Sequence, residues 1–82
     1  MRKTTYLRNA FKTLSRYDKS IQARIVDAVD NIPQGDVKKL QTRNKPPLYR
    51  LRVGKYRIIY YIDPDNDEIV IAKIDTRGDI YK

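Results

Sequence analysis

Apolar residues recur along the first third of the chain at steps of three and four. Leu7, Ala10, Phe11, Leu14 and Tyr17 share one face of a helix, with Arg8, Lys12 and Arg16 opposite. Asp18 then stands where its carboxylate would cap the first free amides of a second helix. In that helix Ile21, Ile25, Ala28, Val29 and Ile32 form one stripe, Arg24, Asp27 and Asp30 lie toward water, and Pro33 and Gly35 mark the end. So short a break between the two stripes predicts an antiparallel helix pair. Upstream, Thr4, Thr5 and Tyr6 support only a short edge strand over residues 1–6.

From Leu48 the period changes to two. Tyr49, Leu51 and Val53 alternate with Arg50 and Arg52. After Gly54-Lys55, Tyr56, Ile58, Tyr60 and Ile62 alternate with Arg57, Ile59 and Tyr61. Successive strand side chains point to opposite faces, so these residues predict a hairpin with one apolar face and one arginine face. The preceding stretch, Lys38 to Pro47, reads as a polar, basic connector with Leu40 as its anchor, because Pro46-Pro47 is excluded from a central strand. Asp63 to Asp67 is a turn cluster, and Glu68 to Ile74 is a nearly continuous β-branched strand covered on both sides. In the tail, Asp75 to Lys82, Ile80 and Tyr81 predict a return to the sheet. The expected fold is α+β: an N-terminal antiparallel helix pair packed on one face of a small, mainly antiparallel twisted sheet. Residues 1–82 make a single domain, burying about 60–65% of the unfolded surface.

Charge adds a direction to this outline. The net charge is +8, and between Asp36 and Asp63 lie eight basic residues and no acidic ones. The other ten basic residues are matched by ten acidic ones, so this one block carries the whole excess. A localised positive field favours a polyanion as partner. Cysteine and histidine are both absent, which excludes a disulfide framework, thiolate chemistry and the commonest acid–base group. Asp63, Asp65, Asp67 and Glu68 are spaced too closely for a calcium loop and lack its glycine and distant glutamate. Neither a metal nor another cofactor is expected. No apolar run approaches the roughly 20 residues of a membrane span, and the chain reads as soluble and cytoplasmic.

What chemistry remains lies on the basic face. Arg50, Arg52 and Arg57 offer bidentate, charge-assisted contacts to phosphate oxygens. Arg43, Lys45 and Lys55 extend that surface. Alternation puts Tyr56 and Tyr60 in the core, whereas Tyr61 shares the arginine side and Tyr49 and Tyr81 are further candidates for stacking on bases. Arg77 and Tyr81 approach the arginines if the last strand pairs beside the second strand of the hairpin.

The run LYRLRVGKYRIIYYID, the β-branched strand after it and the ending TRGDIYK resemble the RelE/ParE superfamily of type II toxin–antitoxin toxins. A helix pair followed by GDVKKLQ fits the same pattern, so the likeness covers nearly the whole chain. The resemblance implies the RelE-like fold and, in the RelE branch, a ribosome-dependent endoribonuclease that cuts mRNA without a metal. Its implied partners are the 70S ribosome, mRNA and an acidic antitoxin that wraps the toxin in a hetero-oligomer. The catalytic positions of the pattern fall on Arg52, Arg57, Arg77 and Tyr81. Arg43, Lys45, Arg50, Lys55 and Tyr61 are assigned to RNA and phosphate binding.

By that likeness the 2′-hydroxyl attacks the adjacent phosphate, leaving a 2′,3′-cyclic phosphate and a 5′-hydroxyl, with clustered cations stabilising the added charge. Arg50 and Arg52 stand where the RelE pattern has lysines. Arginine stays protonated near 12.5 or above, so it makes a poor proton acceptor, and the general base and acid have no assigned residue. Two further readings stay open: a gyrase inhibitor of the ParE branch without nuclease activity, and a toxin-derived scaffold that only binds nucleic acid or an acidic partner.

Overall fold

The structure, a computed structural model, describes residues 3–40 and 45–76. Its elements follow the chain as β1 (Lys3–Tyr6), α1 (Arg8–Ser15), α2 (Lys19–Asp30), β2 (Asp36–Lys39), β3 (Tyr49–Val53), β4 (Tyr56–Asp63) and β5 (Glu68–Thr76). The strands form one five-stranded sheet in the order β1-β5-β4-β3-β2. Only β1 with β5 is parallel; every other neighbour is antiparallel. Both helices lie on one face, α1 against β5 and α2 against β3. This is the helix pair on a mainly antiparallel sheet that the two periodicities predict.

The alternation of the hairpin holds residue by residue. Leu51, Tyr56, Ile58 and Tyr60 are buried toward the helices and meet Ala10, Leu14, Ile25 and Val29. Tyr49 joins that side, its ring stacked on Tyr60 at 5.4 Å between centroids. It is therefore a core residue rather than a surface for bases. Gly54 opens the two-residue turn at φ +59°, a left-handed value that favours glycine. A Cβ there would also come within 3.2 Å of the Arg24 guanidinium.

In β5, Ile69, Ile71 and Ile74 all reach the core, although the step from 71 to 74 breaks strict alternation. A bulge resolves this: Tyr60 pairs with Ile71 and Ile59 with Lys73, so Ala72 is the extra residue. Val70, also buried, points by alternation to the opposite face.

Four expectations change. Leu7 and Phe11 are 40% and 60% exposed rather than buried. A helix of eight residues touches the sheet along a narrow line, and Ala10 and Leu14, four apart, occupy it. The Asp18 carboxylate makes no capping bond; only its carbonyl accepts from Gln22 N–H at 2.9 Å. The start of the expected connector is an edge strand, β2, paired with β3 and prolonged by Leu40 N–H donating to Leu48 at 2.9 Å. Finally, Asp75 and Thr76 belong to β5 and not to a tail. The expected return of Ile80 and Tyr81 to the sheet lies outside the described residues.

Two titrating groups mark the ends of the sheet. Burial, and secondarily the nearby Asp30 charge, push the Tyr6 hydroxyl above its ordinary pKa of 10.0. The turn acid Asp63 sits below its usual value because Asn66 donates to its carboxylate from side chain and backbone, as does the Asp65 amide.

Candidate nucleic-acid interface

The face away from the helices is written in rows across the strands. Register places Asp36 opposite Arg52, Arg52 opposite Arg57, and Arg57 opposite Asp75. Directly opposed residues share a face, so four strands contribute one row: carboxylate, guanidinium, guanidinium, carboxylate. The next row, one pleat repeat further on, is Lys38, Arg50, Ile59 and Lys73. The hairpin thus brings Arg50, Arg52 and Arg57 together as its alternation predicts.

These arginines are not bare charges. Arg57 donates from Nε and Nη2 to the two carboxylate oxygens of Asp75, at 3.3 and 3.2 Å. Lys73 Nζ approaches the same carboxylate at 3.8 Å. Arg50 Nη2 donates to Asp36 Oδ1 at 3.2 Å, and Arg52 Nε lies 3.9 Å from Asp36 Oδ2, an ion pair without a hydrogen bond. The Arg50 side chain is only 14% exposed, and its Nε has no partner among the described residues. The carboxylates offset part of the cluster, yet Lys38, Arg50, Arg52, Arg57 and Lys73 outnumber Asp36 and Asp75. Cations held on one sheet face, with donor hydrogens beyond those their ion pairs use, have the chemistry that contacts to phosphate oxygens require.

Asp36 and Asp75 are the residues that the sequence reading missed. Asp36 bounds the acid-free block and Asp75 lies well beyond it in β5, and each reaches the arginines through strand pairing. Their signal was parity: once the register is known, both fall on arginine-side positions.

Beside the second row an open groove of about 600 Å³ is lined by Pro46, Leu48, Ile59, Tyr61 and Ala72, with Lys45 and Lys73 supplying charge. Lys45 and Tyr61 therefore meet at one feature next to the arginines. Lys55, at the hairpin tip, instead lies 5.6 Å from the ring centre of Tyr56, a core residue. Arg43, Arg77 and Tyr81 lie outside the described residues. Among the described residues no group of three or more acidic side chains is placed to hold a metal ion.

Comparison with known proteins places this geometry in a lineage. The family model of the ParE toxin of type II toxin-antitoxin system, parDE, matches residues 4–81. Toxin RelG of Mycobacterium tuberculosis is 35% identical over 80 residues, covering 88% of this chain and 92% of the relative. Among solved structures, the archaeal RelE-RelB complex from Pyrococcus horikoshii contains a chain 27% identical, with a TM-score of 0.76 over 94% of this chain and 96% of that one. The RelB-RelE antitoxin-toxin complex of Methanococcus jannaschii, 24% identical with a TM-score of 0.74 over 94% of each chain, shares the fold.

Proposed function

The chain belongs to the ParE toxin family of type II toxin–antitoxin systems, within the RelE/ParE superfamily, and from that premise we propose that it is a ribosome-dependent mRNA endonuclease of the RelE kind. The observation that carries this reading is the two-row cation cluster of Arg50, Arg52 and Arg57 on one rigid sheet face. In the proposed reaction the ribose 2′-hydroxyl gives its proton to solvent water and its oxygen bonds to phosphorus. The bond from phosphorus to the 5′ oxygen breaks, and that oxygen takes up a proton from water. Arg57 and Arg52 hold the phosphate oxygens as negative charge builds on them, which is where fixed cations accelerate most. Arg77 serves as a second phosphate clamp and Tyr81 orients the nucleotide. The ribosome supplies alignment of the 2′-hydroxyl with the leaving oxygen.

Arg57 enters this scheme already fixed by Asp75, so little side-chain freedom is lost when phosphate binds. Lys45, Arg50 and Tyr61 contact the flanking nucleotide, and Arg43 and Lys55 complete the proposed RNA-binding set. Residues 1–82 act as one domain. The relative crystallised with RelB supports an antitoxin partner for this chain too; in this proposal that partner brings acidic and apolar residues to the basic face, and the toxin acts in the cytoplasm beside ribosomes.

The matched family model is that of ParE toxins, which supports a second reading, inhibition of DNA gyrase without nuclease activity. Expression of the native chain and of an Arg57→Ala, Arg77→Ala double variant separates the two. New mRNA 5′ ends inside codons, lost in the variant, are the expected result. Failed supercoiling with intact messages would overturn the endonuclease reading.

A further inference from the structure

Ile59 occupies an odd place. It stands in a row between Arg50 and Lys73, on the face turned away from the core, and lines an open groove with Tyr61 and Ala72. The bulge residue Ala72 is part of the lining of this groove. The bulge adds a residue with a small side chain next to Lys73 while Tyr60 and Ile71 stay paired on the core side. Apolar surface kept among cations on an open sheet face suits a flat, weakly polar group that itself carries negative charge nearby.

We infer that this groove is a nucleobase subsite: it takes one unstacked base of a single-stranded RNA whose phosphate lies on Arg57 and Arg50. The inference rests on the RNA reading given above. The volume of about 600 Å³ accommodates a nucleoside and lies within the range of small-molecule clefts. Tyr61 provides a ring for stacking, which accepts any base because every base has a π-face. Ile59 is two residues from Arg57 along β4, about 7 Å, so base and phosphate of one nucleotide can be held together. Lys45 and Lys73 flank the groove with charge for the adjoining phosphates. Charge complementarity thus favours a polyanion with flat apolar rings.

The test compares two probes of equal charge, heptaadenylate and a ribose-phosphate heptamer without bases, binding to the full chain by fluorescence anisotropy. The native chain is expected to bind heptaadenylate about tenfold or more tightly than the base-free probe. Tyr61→Leu, which keeps apolar bulk, should shrink that ratio to about threefold or less, while Arg57→Ala weakens both probes alike. A native ratio near one, with Arg57→Ala still weakening both probes, overturns the subsite and leaves the RNA reading standing. A ratio that persists in Tyr61→Leu also overturns it, since the base then stacks elsewhere. If Tyr61→Leu instead spares the ratio and weakens a co-expressed antitoxin, the groove belongs to a peptide. Absence of Arg57-dependent RNA binding removes the RNA reading and the subsite with it.

Discussion

Asp75→Asn separates what holds Arg57 from what Arg57 holds. Asparagine keeps the shape and one acceptor oxygen but removes the charge. The Asp75 side chain is 16% exposed and that of Arg57 30%, so the pair is largely withdrawn from water. Its two contacts, at 3.3 and 3.2 Å, are at the long end of the hydrogen-bond range. Charge-assisted bonds contribute about 1.5–3 kcal/mol when well formed, and exposed pairs at most about 1. Length and partial exposure place this one between, at about 1–2 kcal/mol. The directly opposed Arg52 adds to the loss, because Asp75 offsets the repulsion between the two guanidinium groups. Thermal melting should show the loss as a Tm drop of about 4–8 °C per kcal/mol.

Binding should move the other way. With Asp75 neutral, Arg57 is free to make one more phosphate contact, so affinity for single-stranded RNA rises at low salt. Its logarithmic salt slope should steepen by about 0.7. The combination of lower stability and tighter, more salt-sensitive binding is the signature. An Asp75→Asn chain with native Tm and native salt slope would refute the claim that Asp75 holds Arg57. A lower Tm with an unchanged slope would refute the assignment of Arg57 to phosphate.

Three further outcomes follow from local geometry. The Tyr6 hydroxyl is buried without a partner among the described residues, so Tyr6→Phe should leave stability unchanged or raise it by about 1 kcal/mol. With the folded pKa of Tyr6 above 10.0, its contribution is constant below about pH 10 and is lost as pH rises through the folded value; urea melts at pH 9 and 11 should show a smaller decline for Tyr6→Phe. Gly54→Ala, forced to φ +59° and against Arg24, should cost about 1–2 kcal/mol in urea unfolding, with Gly54→Asn recovering part of it. The Asp63 carboxyl, held below its usual value of 3.8, stabilises the turn above that pH and loses the effect as pH falls through its folded value; Asp63→Ala should flatten the acid limb of the melting profile.

The hairpin and helices were legible because their patterns have a period: two from Tyr49 to Ile62, and three to four from Ala10 to Ile32. The core followed from those periods, except that Leu7 and Phe11 extend a stripe beyond what a two-turn helix can bury. β2 was hidden because an edge strand needs little apolar sequence; DVKK has a single apolar residue. The bulge at Ala72 was equally invisible, since EIVIAKI reads as a nearly continuous β-branched strand until a register assigns its faces. The arginine cluster could be read locally, but its carboxylates could not. Asp36 and Asp75 are 14 and 18 residues from their partners and meet them only when neighbouring strands align.

The parallel pairing of β1 with β5 sets when the molecule can exist during its own synthesis. Lys3 aligns with Glu68, and α1 packs on β5, so the first elements made have no sheet to join until the last strand has been translated. Such long-range closure is slow and comes late. The arginine row is subject to the same delay, because Asp75, which orients Arg57, is also in β5. A nascent chain therefore holds an incomplete sheet until β5 has been made, and the arginine row is complete only once Asp75 has joined it.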